Sequence, residues 1–452
     1  MRPSSSASDG LFSALRGHGA VGGEVGGAAW LRALLDVEAA LAGAAASAGL
    51  VPADAARAVA DACADVEAYD EDELGREAAL GGNPVIPLVR AIERRAGAGG
   101  SSVHHGATSQ DVLDTAMVLV AGRARAVLLD DLTACTAAAA GLAARHRDTA
   151  MSGRTLLQQA LPTTFGLKAV GWATALQGGA DRLAAVPLPV QLGGAAGTLA
   201  GYGGRGSEVS RALADALGLA ASPLPWHTAR LPVADLAGAL GTTAGTVAKV
   251  ALDVVLLAQT EVAEVAEVRA GAGGSSAMPH KRNPVAAVQA RAAARLAPGL
   301  VGTLLSCMEQ EHERAAGAWH AEWAPLSDLL ATTGTAVAWM ADSLLALEVD
   351  ADRMETNLAA GAAEAAAPAL ADALTGALGR SAAHDRVADA VRRSRATGAQ
   401  LRVVLGDDPV VTGALDPERL DALLSTSVDV GEAGRLVDAG LAALPAAVRS
   451  AR

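Results

Sequence analysis

Apolar residues recur along this chain at helical spacings over long stretches. Near the N terminus, Leu31, Leu34, Leu35 and Leu41 define the apolar side of a helix predicted over 28–50 and ended by the run from Gly49 to Pro52. A second helix is predicted over 53–68, followed by the acidic run Asp70–Glu73. The Gly/Pro-rich turn Gly81-Gly82-Asn83-Pro84 then leads into a short helix that stops before Gly97. Four longer helices are predicted in the middle. The first covers 108–147, with Thr108 and Asp111 at capping-box spacing. The second covers 162–183 and opens on Pro162. The third covers 232–267, with Val233, Leu236, Leu240, Val247, Val250 and Val254 three, four or seven apart. The fourth covers 283–323, kinked at Pro298, and another helix follows over 326–347. Gly-rich stretches at 186–207 and 270–279 interrupt the pattern, and no fixed repeat is visible. After Asp350 the helices become shorter, with Gly, Asp and Pro breaks.

Composition points the same way. Of 452 residues, 51% are apolar but only ten are aromatic, so the core must be built from Ala, Leu and Val. Ala and Leu favour helices and aromatic residues favour strands, so the expected fold is all-α. The length suggests three domains. They are placed at 1–105 (N-terminal helical), 106–350 (central long-helix bundle) and 351–452 (C-terminal helical). The net charge of −13 and the scarcity of stacking aromatics argue against nucleic acid as a partner. The first ten residues are polar rather than signal-like, and no run of 18 uncharged apolar residues occurs, so no membrane partner is expected. Cys63, Cys135 and Cys307 form no CxxC pair and read as buried apolar residues of a cytoplasmic protein. The cations are lopsided: 33 Arg against Lys168, Lys249 and Lys281. A Lys kept in such a chain marks a position where a compact ammonium matters.

The most informative segment is Gly271-Ala-Gly-Gly-Ser275-Ser276-Ala-Met278-Pro-His-Lys281-Arg-Asn283-Pro284. It reads as a flexible polar loop between long helices, with unpaired N–H groups at the following helix start. Taken alone, a Gly/Ser loop is a solvated connection. The whole string, however, resembles the signature of the aspartase/fumarase superfamily, Gly-Ser-Ser-x-Met-Pro-x-Lys-x-Asn, at every fixed position. That resemblance implies an enzyme whose mobile loop carries a general base, here Ser275. The base removes a proton beside a carboxylate, and the resulting aci-carboxylate needs donors and cations placed in advance. Lys281 would be catalytic, and Ser276, Met278 and Asn283 would contact substrate.

Two further strings match the superfamily's order. In His104-His105-Gly-Ala-Thr108-Ser109-Gln-Asp111, Thr108 and Ser109 sit at a helix N terminus that can hold a carboxylate; a plain cap is the alternative. The paired His residues lack a ligand three or four positions on, so no metal is expected. In Gly153-Arg154-Thr155-Leu156-Leu157-Gln158, the resemblance makes Arg154, Thr155 and Gln158 substrate-binding, though a polar helix start is the simpler reading. Adenylosuccinate lyase carries its general acid His where Leu156 stands. A second His of that lyase has no counterpart at Asn83-Pro84-Val85. An expelled amine benefits from a proton donor, whereas a carboxylate leaving group does not.

The segment 310–323, with Arg314, Trp319 and Trp323, and the string Pro225-Trp226-His227-Thr228 look like the bacterial 3-carboxy-cis,cis-muconate cycloisomerase branch. Arg314 matches a substrate-contacting Arg, with a surface ion pair as its alternative. Trp319 and Trp323, spaced i and i+4, read as packing residues. The string Gly201-Tyr-Gly203-Gly-Arg-Gly206 fits a dinucleotide fingerprint by letters only, since no βαβ pattern surrounds it. The resemblance therefore implies a cofactor-free cycloisomerase acting on a di- or tricarboxylate. It also implies a homotetramer with a 20-helix core and active sites shared between subunits. The nearest rival is a lyase expelling a weakly basic group such as nitrite from a substituted succinate.

Overall fold

A computed structural model describes residues 10–274, 278, 281–424 and 429–450. The fold is all-α, with two two-stranded antiparallel sheets among the described residues. The chain divides into two compact units. One holds Met1–Cys135, Leu176–Leu252 and Ala286–Ser343; the other holds Thr136–Ala175, Asp253–Val285 and Leu344–Arg452.

The first unit begins with α1 (Gly27–Ser47), α2 (Ala53–Ala64), α3 (Glu71–Gly81) and α4 (Val85–Ala96). Leu31, Leu34 and Leu35 of α1 join Val59 of α2 and Leu88 and Ile92 of α4 in one aliphatic core. The acidic run opens α3: the Asp70 carboxylate accepts from Glu73 N–H (2.9 Å), and the next three acidic residues fill a first turn that favours negative charge. α5 (Ser109–Arg145) has 37 residues and spans about 55 Å. Every residue from Gln110 to Ala121 is buried, so its first turns are enclosed on all sides within one protomer. α6 (Phe165–Ala185), α7 (Gly206–Leu217), α8 (Leu231–Leu257), α9 (Val285–Ala294), α10 (Ala297–Ser306) and α11 (Ala318–Leu345) follow along the chain, and α5, α6, α8, α9 and α11 each have residues on both sides of the division. By length and composition α8 can cross a membrane, yet its predicted face, Val233, Leu236, Leu240, Val247, Val250 and Val254, is packed inside the protein.

The second unit holds the hairpin β1 (Ala150–Thr155) and β2 (Gln158–Thr164), and the pair β3 (Val265–Glu267) and β4 (Leu347–Val349). It also holds α12 (Ala351–Ala360), α13 (Ala362–Leu378) and α14 (Arg380–Thr397). Leu370, Leu374, Val387, Leu401 and Leu405 form its C-terminal core.

Several predicted bounds shift for identifiable reasons. Pro162 does not open a helix; it pairs with Ser152 in the hairpin, and Thr164 starts α6 later by accepting from Leu167 N–H (3.1 Å). Past Leu257 the chain leaves α8, turns at Ala263 with a left-handed φ of 51° and becomes β3. The predicted helix over 283–323 is interrupted at 295–296 and ends at Ser306; the chain is non-helical from 307 to 317. Helix resumes at Ala318 and runs through Pro325, where buried Trp319, Leu326, Leu329 and Leu330 hold it in place despite the missing N–H.

Candidate active site

The start of α5 carries the first cluster. Thr108 precedes the helix, and its N–H donates to Asp111 Oδ2 (3.0 Å), half of the predicted capping box. The Thr108 hydroxyl makes a different bond: it accepts from Arg314 Nη1 (2.6 Å). Arg314 Nη2 donates to the Ala195 carbonyl (3.1 Å), while its Nε is buried without a partner. The break between Ser306 and Ala318 is what lets Arg314 reach back to Thr108. Thr108, Ser109 and Arg314 thus present a hydroxyl pair, a helix N terminus and a guanidinium in one half-buried place, a set suited to a carboxylate.

Buried charge supports this cluster. Asp111 is 1% exposed and accepts from His227 Nε2 (2.7 Å) and from the N–H groups of Gly193 (2.9 Å) and Gly194 (2.8 Å). Arg230 bonds Asp114 (2.7 Å) and Glu322 (2.6 Å), and its guanidinium lies 4.8 Å from the Trp226 ring. Trp319 Nε1 donates to Asp114 (2.9 Å), so this Trp is a packing residue as read. One cation facing two carboxylates leaves a buried negative excess. Burial, with Asp114 adding, raises the Glu322 pKa, although Arg230 and Gln310 oppose the shift. Beside the cluster, His104 takes a left-handed φ of 56°, and Glu38, fully buried, accepts from both its N–H (3.1 Å) and its Nδ1 (2.7 Å).

The other predicted residues lie in the second unit. Thr155 and Gln158 pair across the end of the hairpin and flank an exposed two-residue turn, Leu156-Leu157. Both leucines have left-handed φ, 50° and 65°. Gly153 sits at a register shift where an added Cβ would lie 2.6 Å from the Leu161 carbonyl, so only glycine fits. The Arg154 guanidinium is committed to fully buried Glu264 (2.9 and 2.6 Å), which also accepts from Asn357 Nδ2 (2.9 Å). The neck of the signature loop is closed by Asn283, whose N–H and Nδ2 both donate to the Gly273 carbonyl (2.9 and 3.2 Å). Met278 and Lys281 are exposed, with Lys281 N–H donating to the Met278 carbonyl (3.1 Å). Ser275 and Ser276 lie outside the described residues.

Within one unit, then, the fold joins Thr108 to Arg314, and within the other it joins Thr155 to Gln158 and Asn283 to Gly273. Sequence reading missed Glu38, Glu264, the Gly193–Ala195 turn and the hub role of Asp111. Only Asp111 left a local signal, its capping-box spacing; the other partners are distant in sequence. A lyase family profile matches residues 25–299. The chain is 44% identical over 420 residues to 3-carboxy-cis,cis-muconate cycloisomerase of Pseudomonas aeruginosa, covering 91% of each. It is 42% identical over 444 residues to nitrosuccinate lyase of Streptomyces davaonensis, covering 95% of this chain and 94% of that one. Among solved structures it is similar to the 3-carboxy-cis,cis-muconate lactonizing enzyme from Pseudomonas putida, with a TM-score of 0.87 at 39% identity, covering 96% of this chain and 98% of that one. With the complete loop signature and the all-helical fold, these matches make the chain an enzyme of the lyase family, in the aspartase/fumarase superfamily.

Proposed function

We propose that this enzyme converts 3-carboxy-cis,cis-muconate to 4-carboxymuconolactone without a cofactor. The observation that carries the reading is the bond from Arg314 to Thr108 beside Ser109, a set suited to a carboxylate, in a chain whose Thr155–Gln158 hairpin ends in two leucines, where an amine-expelling relative holds an acid. A substrate carboxylate oxygen adds to one carbon of the conjugated diene, and the displaced π electrons collect as an aci-carboxylate on the neighbouring group. Thr108, Ser109, Arg314, Asn283 and Lys281 stabilise that charge, and Arg154, Thr155, Gln158, Ser276 and Met278 complete the substrate contacts. Ser275 delivers the proton to carbon and is reprotonated from solvent; that proton replaces the one the attacking carboxylate lost on ionisation, so the step balances as an isomerisation. Donors and cations already in place before the charge develops do most to lower the barrier in such a reaction, because they need not reorganise. Similarity to the cycloisomerase of Pseudomonas aeruginosa and the lactonizing enzyme of Pseudomonas putida supports the assignment. We also infer a homotetramer with a 20-helix core and shared sites, working in the cytoplasm.

The test is the ultraviolet loss of the diene when enzyme and substrate are mixed. Ser275→Ala should lower kcat by at least about 100-fold, and full activity in that variant would remove Ser275 from the mechanism. A second reading, release of nitrite from nitrosuccinate, is favoured by the Streptomyces relative, which matches 95% of this chain. Nitrite is weakly basic and needs no acid at Leu156 either. Side-by-side assays of diene loss and of fumarate and nitrite release separate the two.

A further inference from the structure

We propose that Asp111, locked by His227, is a positioning residue that sets where Arg314 meets a substrate carboxylate; the inference rests on the carboxylate reading of Thr108 and Arg314. Each oxygen of this buried carboxylate takes bonds from two strong donors. Oδ2 accepts from the N–H groups of Thr108 (3.0 Å) and Gly194 (2.8 Å). Oδ1 accepts from Gly193 N–H (2.9 Å) and His227 Nε2 (2.7 Å). A carboxylate only accepts, so His227 carries its proton on Nε2. One side chain therefore spaces the start of α5 from the turn at 193–195.

Arg314 spans those same two segments. Its Nη1 donates to Thr108 Oγ1 and its Nη2 to the Ala195 carbonyl. The guanidinium fork is planar and rigid, so its direction follows the separation of its two anchors. Asp111 fixes that separation from inside. The packing leaves little slack: a Cβ on Gly193 would lie 2.8 Å from His227 Cε1, and Gly194 needs a left-handed φ of 70°. An amide cannot replace the carboxylate. Whichever way Asn flips, its NH2 faces at least one backbone N–H: that of Gly193 on one side, those of Thr108 and Gly194 on the other.

The experiment is a double-mutant cycle between Asp111→Asn and Arg314→Lys. It is read as kcat and KM for whichever reaction the enzyme performs, and as calorimetric binding of tricarballylate, a stable tricarboxylate probe. On the wild-type background Arg314→Lys should weaken tricarballylate at least about tenfold; on the Asp111→Asn background it should cost under about threefold, because the seat is already lost. Asp111→Asn should raise KM, and a displacement of about 1 Å at Arg314 accounts for up to about 100-fold in kcat/KM. His227→Gln, which keeps a donor, should retain most activity, and His227→Leu should not. Asp408→Asn, which breaks a buried carboxylate in the other unit, controls for lost stability and should leave KM unchanged. If Asp111→Asn does not fold, the His227→Leu by Arg314→Lys cycle replaces it. Additive effects would overturn the positioning role. Unchanged tricarballylate binding in Arg314→Lys would instead overturn the carboxylate reading beneath it, and the inference would fall with that reading.

Discussion

At the scale of single residues, the first unit keeps charges where burial opposes them. His104 is the clearest case. Burial disfavours its imidazolium, but the bond and charge of Glu38, with Asp111 and Glu93 adding, win and raise its pKa above 6.5. The sign follows from linkage. A His held more basic when folded contributes stability that is complete below its ordinary value and is lost as pH rises through the raised one. Chemical denaturation of wild type against His104→Gln should therefore show an advantage for wild type below about pH 6.5 that shrinks at higher pH. A difference that does not vary with pH would exclude the charged His104–Glu38 pair. The same pair explains why His104 accepts a backbone that favours glycine: two bonds to one buried carboxylate outweigh the roughly 1–2 kcal/mol of left-handed strain.

At the scale of elements, the long helices were legible and the hairpin was not. Val233 through Val254 repeats at three, four and seven, and the repeat is buried in α8 as expected. The Leu156-Leu157 turn carries the opposite signal. Two-residue hairpin turns with left-handed φ at both positions ordinarily use Asn-Gly or Asp-Gly, so two leucines hide the turn from any pattern reading. Pro162 adds to the concealment, because it reads as a helix start while it lies in β2. The break from 307 to 317 was equally silent: its residues are not turn formers as a group, and its shape follows from Arg314 bonding Thr108 and from Thr228 Oγ1 donating to the His312 carbonyl (2.9 Å). Local pattern thus recovers elements set by burial period and misses those set by a distant partner. The turn also yields a prediction. Replacing Leu156-Leu157 by Asn-Gly should stabilise the protein by about 1–2 kcal/mol in denaturant titration. The same double variant should lose activity if the leucines border the substrate, and a stabilised, fully active enzyme would show that the strain serves no functional purpose.

At the scale of the whole molecule, α8 leaves Asp235, Gly238, Thr242, Gly245 and Lys249 exposed at spacings of three and four. The proposed tetramer gives the small residues in the middle of that stripe, Gly238, Thr242 and Gly245, a use, since small side chains let helices of neighbouring subunits approach closely. Gly245 has no atom within 4 Å of an added Cβ, so the protomer accepts a larger residue there. Gly245→Leu should keep the helix, with a propensity gain approaching about 1 kcal/mol, and should reduce the assembly below a tetramer in light scattering. An unchanged tetramer would mean that α8 does not face a neighbour.

The division of the chain has a consequence for how the molecule is made. Each compact unit is assembled from three separated stretches, and the chain alternates between the units from beginning to end. The first unit is incomplete until Ala286–Ser343 has been synthesised, and the second needs everything after Leu344. Neither can finish before Ala286 has been synthesised. Vectorial, unit-by-unit folding is closed to such a chain, and its native contacts span long loops that are slow to close. Nascent chains halted before residue 343 should therefore expose the aliphatic faces that the finished protein buries, and should depend on chaperone holding until the last segment of the first unit arrives.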